Sequence, residues 1–303
     1  MIFNRKALTI TLLCFCSCSA FGQSWTYLRN ELYGGIGAAN FLGELGGANQ
    51  IGTNGLKDLE FSLTRPNITL GYRYIVSPYI GVRASFTQAW ISGNDAKTTD
   101  IYRQNRNLNF KSPISELTLM VEYYPFTEKI NHRYRMKGVK GKKSRFLSPY
   151  VTAGIGGFYF NPKGKYNGTW YALQPLKTEG QGLSGGASPY KRVSICIPVG
   201  IGLKYALNKN WSIGFELTGR KTFTDYLDDV STVYYDPTAL AAVNPMSPVL
   251  ADPNLGQIPG ATLPNADGSS AQRGDSKDKD AYMFAIFSVH YRFLRYKRHL
   301  PKF

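Results

Sequence analysis

No stretch of this 303-residue chain holds 18 or more consecutive apolar residues, so no membrane-crossing helix is expected. Cysteine is scarce too. Cys14, Cys16 and Cys18 crowd the N-terminal segment, and Cys196 stands alone in the rest. Loss of that segment would leave no partner for a disulfide. One cysteine and three scattered histidines (His132, His290, His299) cannot assemble a zinc cluster, and no cofactor is expected. Acidic residues are the other shortage: 20 Asp and Glu against 36 Lys and Arg leave a formal charge of +16.

What is present begins with a targeting segment. Arg5 and Lys6 open it, Ala7 to Ser17 form a short apolar core, and Ala20-Phe21-Gly22 offer small residues for cleavage. Residues 1–22 read as a signal peptide and the mature chain as starting at Gln23. Lipid attachment at Cys18 is the rival processing route, although the residues before it fit a lipobox poorly.

The body of the chain alternates. In VSICIPVGIGLKY (193–205), Val193, Ile195, Ile197, Val199, Ile201, Leu203 and Tyr205 share one face, and Ser194, Cys196, Gly200, Gly202 and Lys204 share the other. A period of two is a strand with one oily face. The same pattern recurs at 31–39, 67–74, 79–90, 116–126, 149–160, 210–220 and 281–293. Eight strands of about ten residues suit a tilted crossing of a bilayer.

Short links follow strands two and six, around Ser77 and at 207–210. Long links fall at 40–66, 91–108, 161–190 and 222–280. That asymmetry predicts an all-β, eight-stranded antiparallel transmembrane barrel with short periplasmic turns and long extracellular loops. The non-oily faces carry glycines and isolated charges, namely Arg73, Arg83, Glu116, Glu122, Lys204, Glu216 and Arg292. A solvated surface would be richer in charge, so these faces are expected to fill a narrow interior and the oily ones to meet lipid. A soluble periplasmic barrel, turned the other way out, is the alternative. Pro198 in mid-strand should sit at a bulge or an unpaired position. Tyr79, Trp90, Tyr123, Tyr124, Phe126, Phe158, Tyr159, Phe160, Tyr205 and Trp211 read as interfacial girdles.

The domain layout follows: a signal peptide (1–22), a short periplasmic segment (23–30), the barrel (31–294, with 222–280 as a long extracellular loop) and a basic periplasmic tail (295–303). Charge is uneven along it. Residues 127–146 carry eight cations and one anion, and 292–303 add five cations, both expected on the periplasmic side. Loop 222–280 holds nine Asp against Arg273, Lys277 and Lys279. Contact with anionic headgroups would use the basic face, and so would docking of a periplasmic protein. Nucleic acid is not expected, because no stacking platform accompanies the charge. Arg133, Arg135, Lys137, Lys140, Lys142, Lys143 and Arg145, with Arg295, Lys297 and Arg298, are the candidate partner-binding residues.

GGIGAANFLGELGGANQIG (34–52), FSLTRPNITLGYRY (61–74), ISGND (91–95), RNLNFKS (106–112) and SPISELTLMVEYYPF (112–126) together resemble the PorG-like outer-membrane barrel family of Bacteroidetes. The resemblance covers the first half of the mature chain and, beyond that, mainly the strand layout. It implies a component of the type IX secretion system that links the outer membrane to a periplasmic ring of PorK- and PorN-like proteins. The long 222–280 loop departs from the family pattern. The same glycine run lacks the third glycine spacing and the following helix of a dinucleotide loop.

Catalysis is not expected. His290 shares a face with Ser288 and Arg292, but no Ser–His–acid set is legible, and a lone inward His reads as a satisfied interior residue. Asp275, Asp278 and Asp280 in GDSKDKD lack the spacing of a calcium loop and read as a solvated charged loop. Residues 236–268 read as an extended or partly disordered surface loop. No small-molecule substrate is expected. The competing functions are an adhesin-type barrel acting through loops 161–190 and 222–280, and a lipid-modifying enzyme using His290.

Overall fold

A computed structural model of the chain describes residues 29–43, 45, 61–98, 100–126, 146–262, 270–276 and 278–293. Eight long strands close on themselves: β1 (Asn30–Leu42), β2 (Arg65–Ile75), β3 (Ile80–Asn94), β4 (Asn109–Tyr123), β5 (Leu147–Phe160), β8 (Val193–Ala206), β9 (Trp211–Thr222) and β10 (Ala281–Arg292). Each pairs antiparallel with its neighbours, and β1 pairs with β10 from Glu31↔Arg292 to Leu42↔Ala281, so no edge is left open. A short hairpin, β6 (Lys163–Tyr166) and β7 (Thr169–Ala172), extends the wall beside β4.

All eight expected strands are present. Closure satisfies the backbone groups that hydrocarbon would leave without partners. Pro198 also behaves as its chemistry requires. The β5–β8 ladder holds Ala153↔Val199 and Gly156↔Cys196 but skips the two pairs between them, so the missing N–H of Pro198 faces a gap.

The alternation sorts cleanly. Ile36, Leu117, Ile155, Ile201 and Phe287 point outward and are all more than 60% exposed, and apolar residues continue around every strand. Soluble monomers rarely show an apolar patch above about 600 Å². A belt that circles the whole barrel is a lipid-facing surface, and the chain is a transmembrane β-barrel.

The two ends differ. At the turn end, Val76–Tyr79 and Leu207–Asn210 make tight turns, with Ser77 Oγ accepting from the Ile80 N–H at 3.1 Å and Asn208 Oδ1 from the Trp211 N–H at 2.8 Å. At the loop end, β3 and β4 run past their neighbours to the pair Asn94↔Asn109. There the connections fold into a cap that contains α1 (Ile101–Arg106), α2 (Pro237–Val243) and α3 (Met246–Ala251). The expectation of an extended or partly disordered stretch at 236–268 is therefore corrected over its described part. Asp236 caps α2 by accepting the Thr238 N–H, Pro237 occupies the first turn, and Leu240 and Leu250 bury.

Candidate functional site

The barrel interior is the first place to seek chemistry, because the alternation drives polar groups into it. Its turn-end half is a charge network. Glu31 meets Arg73, Lys204 (2.7 Å) and Arg292 (3.3 Å). Arg73 also meets Glu122 (2.6 Å), and Arg83 bridges Glu122 (3.1 Å) and Glu216, the latter through two hydrogen bonds of 2.6 Å. Tyr150 and Tyr124 hydroxyls donate to Glu216 and Glu122 at 2.7 Å. Nearer the loop end, Glu116 accepts from Tyr282 at 2.6 Å and from Arg220 at 3.3 Å. All seven charges expected inside are there. Four carboxylates face five strong cations in this set, so each ion removed from water has a partner.

Above this network the interior turns apolar. Phe41, Ile91, Phe110, Ile114, Phe158, Phe160, Tyr282 and Phe284 pack with Leu173, Leu227, Val230 and Leu250 from the cap. Phe158 and Phe160 thus face inward, as does Tyr124, whose ring lies tilted against Tyr150 with centroids 5.1 Å apart. These three were expected in the girdles. The strand alternation that makes Tyr159 outward forces its neighbours in.

The interior does bring together a serine, a histidine and an acid, which the sequence had not revealed. Ser288 Oγ lies 2.8 Å from His290 Nε2, and His290 Nδ1 lies 3.0 Å from Glu31 Oε1. Glu31 arrives from the far end of the chain through the β1–β10 pairing. The resemblance to a catalytic triad stops at this geometry. Glu31 and Arg73 make opposite demands on Nδ1: the carboxylate can only accept from it, and Arg73 Nη1, 3.1 Å away, can only donate to it. The adjoining void, bordered by Ser288, Tyr33 and Arg83, measures about 10 Å³, room for one water at most.

The cap holds a second polar cluster. Arg273 donates to Glu179 Oε1 (2.8 Å), to the Asp229 carbonyl (2.6 Å) and to the Ala251 carbonyl (3.1 Å). Glu179 also accepts the backbone N–H groups of Ser231 and Thr232. Asp229, in a left-handed conformation with φ of 67°, accepts from the Tyr190 hydroxyl at 2.6 Å and from Thr178. Burial pushes the Asp229 carboxyl up to about 6, against the pull of Arg273 and of these hydrogen bonds. Asp280 is buried and accepts the Leu227 N–H at 2.9 Å. It is a structural strut, which corrects the reading of 274–280 as a wholly solvated loop. Asp275 and Asp278 line a surface cleft of about 590 Å³ with Tyr102, Arg103, Tyr234 and Gln272. Among the described residues no three His, Cys, Asp or Glu side chains are grouped to hold a metal.

The ten candidate partner-binding residues, Arg133, Arg135, Lys137, Lys140, Lys142, Lys143, Arg145, Arg295, Lys297 and Arg298, lie outside the described residues, as does the signal segment. The described flanks still fix where their segments leave the barrel. Phe126 and Phe146 follow β4 and precede β5 at the turn end, and β10 finishes there beside the start of β1.

Solved structures with a similar fold include the attachment invasion locus protein Ail of Yersinia pestis (12% identity, 88% of this chain and 100% of that one, TM-score 0.39). The outer membrane protein OprG of Pseudomonas aeruginosa (11%, 89% and 98%, 0.36) and outer membrane protein W of E. coli (19%, 88% and 98%, 0.35) are others. Comparison with curated proteins gives no match. A family match, by contrast, spans residues 6–238, from the N-terminal segment through every barrel strand but β10. The chain belongs to the family described as domain of unknown function DUF6089.

Proposed function

We propose that this protein sits in the outer membrane as a non-enzymatic, structural part of the type IX secretion apparatus, and that its basic periplasmic face holds a ring of PorK- and PorN-like proteins. The observation that carries this reading is the filled interior. Among the described residues, a charge network below and an apolar core above fill the interior, and the void beside Ser288 measures about 10 Å³. Work must then be done at the ends. The two most basic segments, 127–146 and 292–303, both leave from the turn end, which is the periplasmic end in this reading. The resemblance of residues 34–126 to the PorG-like family supports the same assignment.

The test replaces Arg133, Arg135, Lys137, Lys140, Lys142, Lys143 and Arg145 with Gln in the full chain. Insertion of the barrel should persist, while recovery of ring components with the tagged protein and secretion through the apparatus should fail. Wild-type protein that recovers no ring component would contradict the assignment. A binding barrel acting through its loops is the second reading, and the folded cap with its 590 Å³ cleft favours it. Ala substitution of Tyr102 and Gln272 in that cleft separates the two, since secretion should survive it under the first reading.

A further inference from the structure

Every glutamate in the described barrel strands, Glu31, Glu116, Glu122 and Glu216, is buried inside. The charged side chains that the strands leave at the surface are Arg65, the first residue of β2, and the outward-facing Lys111, Lys163, Lys165 and Lys221, all cationic and all at the loop end. Four of them gather on one wall. Arg65 Nε donates to Ser92 Oγ at 2.9 Å, and Ser92 is the register partner of Lys111. Lys111 is in turn the register partner of Lys163, and Lys165 follows on the same face. Gly164 between them turns inward onto Leu173 and Leu250. Trp170 lies opposite Lys165 in the β6–β7 hairpin, and its ring carries the Lys111 ammonium at 4.6 Å.

Like charges set directly across a sheet oppose one another. No described carboxylate forms an ion pair with Arg65, Lys111, Lys163 or Lys165. The wall therefore asks for an external anion. Its height says which kind. From Tyr123 at the turn end to Lys111, β4 climbs about 30 Å at roughly 3.4 Å per residue and a tilt of about 40°. That places the lysines just beyond the hydrocarbon, above an apolar strip of Leu117, Ile155 and Tyr159.

We propose that Arg65, Lys111, Lys163, Lys165 and Trp170 form a binding site for a phosphorylated lipid of the outer leaflet. The phosphates sit on the cations, the sugar or glycerol part lies against Trp170, and the acyl chains run down the strip below. The inference rests on the outer-membrane placement proposed above.

The test reconstitutes the full mature chain in phosphatidylcholine vesicles that contain either bis-phosphorylated lipid A or the same lipid stripped of phosphate. Native mass spectrometry then counts the lipid retained on detergent extraction. Phosphorylated lipid should be retained and the stripped form lost. In K111Q/K163Q/K165Q, affinity should fall on the order of a hundredfold, about fivefold for each cation at headgroup depth. K111R/K163R/K165R should keep it, and K221Q, three strands away, should match wild type. Equal retention in the Gln triple variant, indifference to phosphate, or displacement by millimolar inorganic phosphate alone would overturn the site. Protease protection reports insertion separately, so an inserted barrel without the lipid sinks only this inference, and a barrel that never inserts sinks the placement as well.

Discussion

At the residue scale, stability is concentrated in ions that have left water together. Arg73 touches Glu31, Glu122 and His290 and is fully buried. Arg73→Met should cost about 3 kcal/mol in urea unfolding from lipid vesicles, because two carboxylates each lose one of their cationic partners in a low-dielectric interior. Adding Glu122→Gln should recover part of that loss. The cap gives a pH-dependent counterpart. Asp229 ionises less readily in the folded cap, near 6, than in an unfolded chain, near 3.8. The folded cap therefore holds the extra proton between those values. Its stability is unaffected by Asp229 below about pH 4, falls as pH rises through 6, and by pH 7 is lower by about 3 kcal/mol. Asp229→Asn, which tolerates the left-handed backbone, should remove that dependence. Hydrogen exchange of cap amides at pH 4 and pH 7 checks it, and equal slopes in the two proteins would count against it.

At the element scale, glycine on the inner face makes room for what fills the barrel. A Cβ at Gly202 would fall 2.1 Å from Tyr150 Cζ, whereas one at Gly157, on the outer face, would meet nothing within 4 Å. Gly202→Val should displace Tyr150 from Glu216 and lower the fraction of barrel that resists heating in SDS, and Gly157→Val should leave it unchanged. The strands were readable because both faces of each differ in polarity at a period of two. The hairpin at 163–172 was not, since Lys163 and Lys165 gave it no oily face. Its one signal was Asn167-Gly168, whose φ angles of 45° and 83° are those of a tight hairpin turn. Gly168→Val should unpair β6 from β7 and scatter Lys165 from Trp170, seen as a loss of the tryptophan's shielding from acrylamide. The helices of the cap were equally faint. Asp236-Pro237 marks a helix start, but six or seven residues without a long apolar period look like loop. The meeting of Ser288 and His290 with Glu31 was beyond sequence reading altogether, because it depends on which strands become neighbours when the barrel closes.

At the scale of the whole molecule, an eight-stranded barrel with a salt-bridged floor and an apolar roof is a plugged barrel. Planar bilayers holding the purified protein should show no steady ion conductance, and stepwise conductance would mean that the interior opens. The interior charges and the outer belt were both legible, since one is the other's complement along every strand. The basic segments that leave the turn end were legible only as charge, with no pattern to say what they touch. All of this depends on the outer belt facing lipid. Spin labels at Ile155, Ile201 and Phe287, in a chain with Cys196 replaced by Ser, test that most directly. In vesicles the account predicts fast relaxation by dissolved oxygen and near-silence towards a water-soluble nickel chelate at all three. The reverse order would put water where the account puts hydrocarbon.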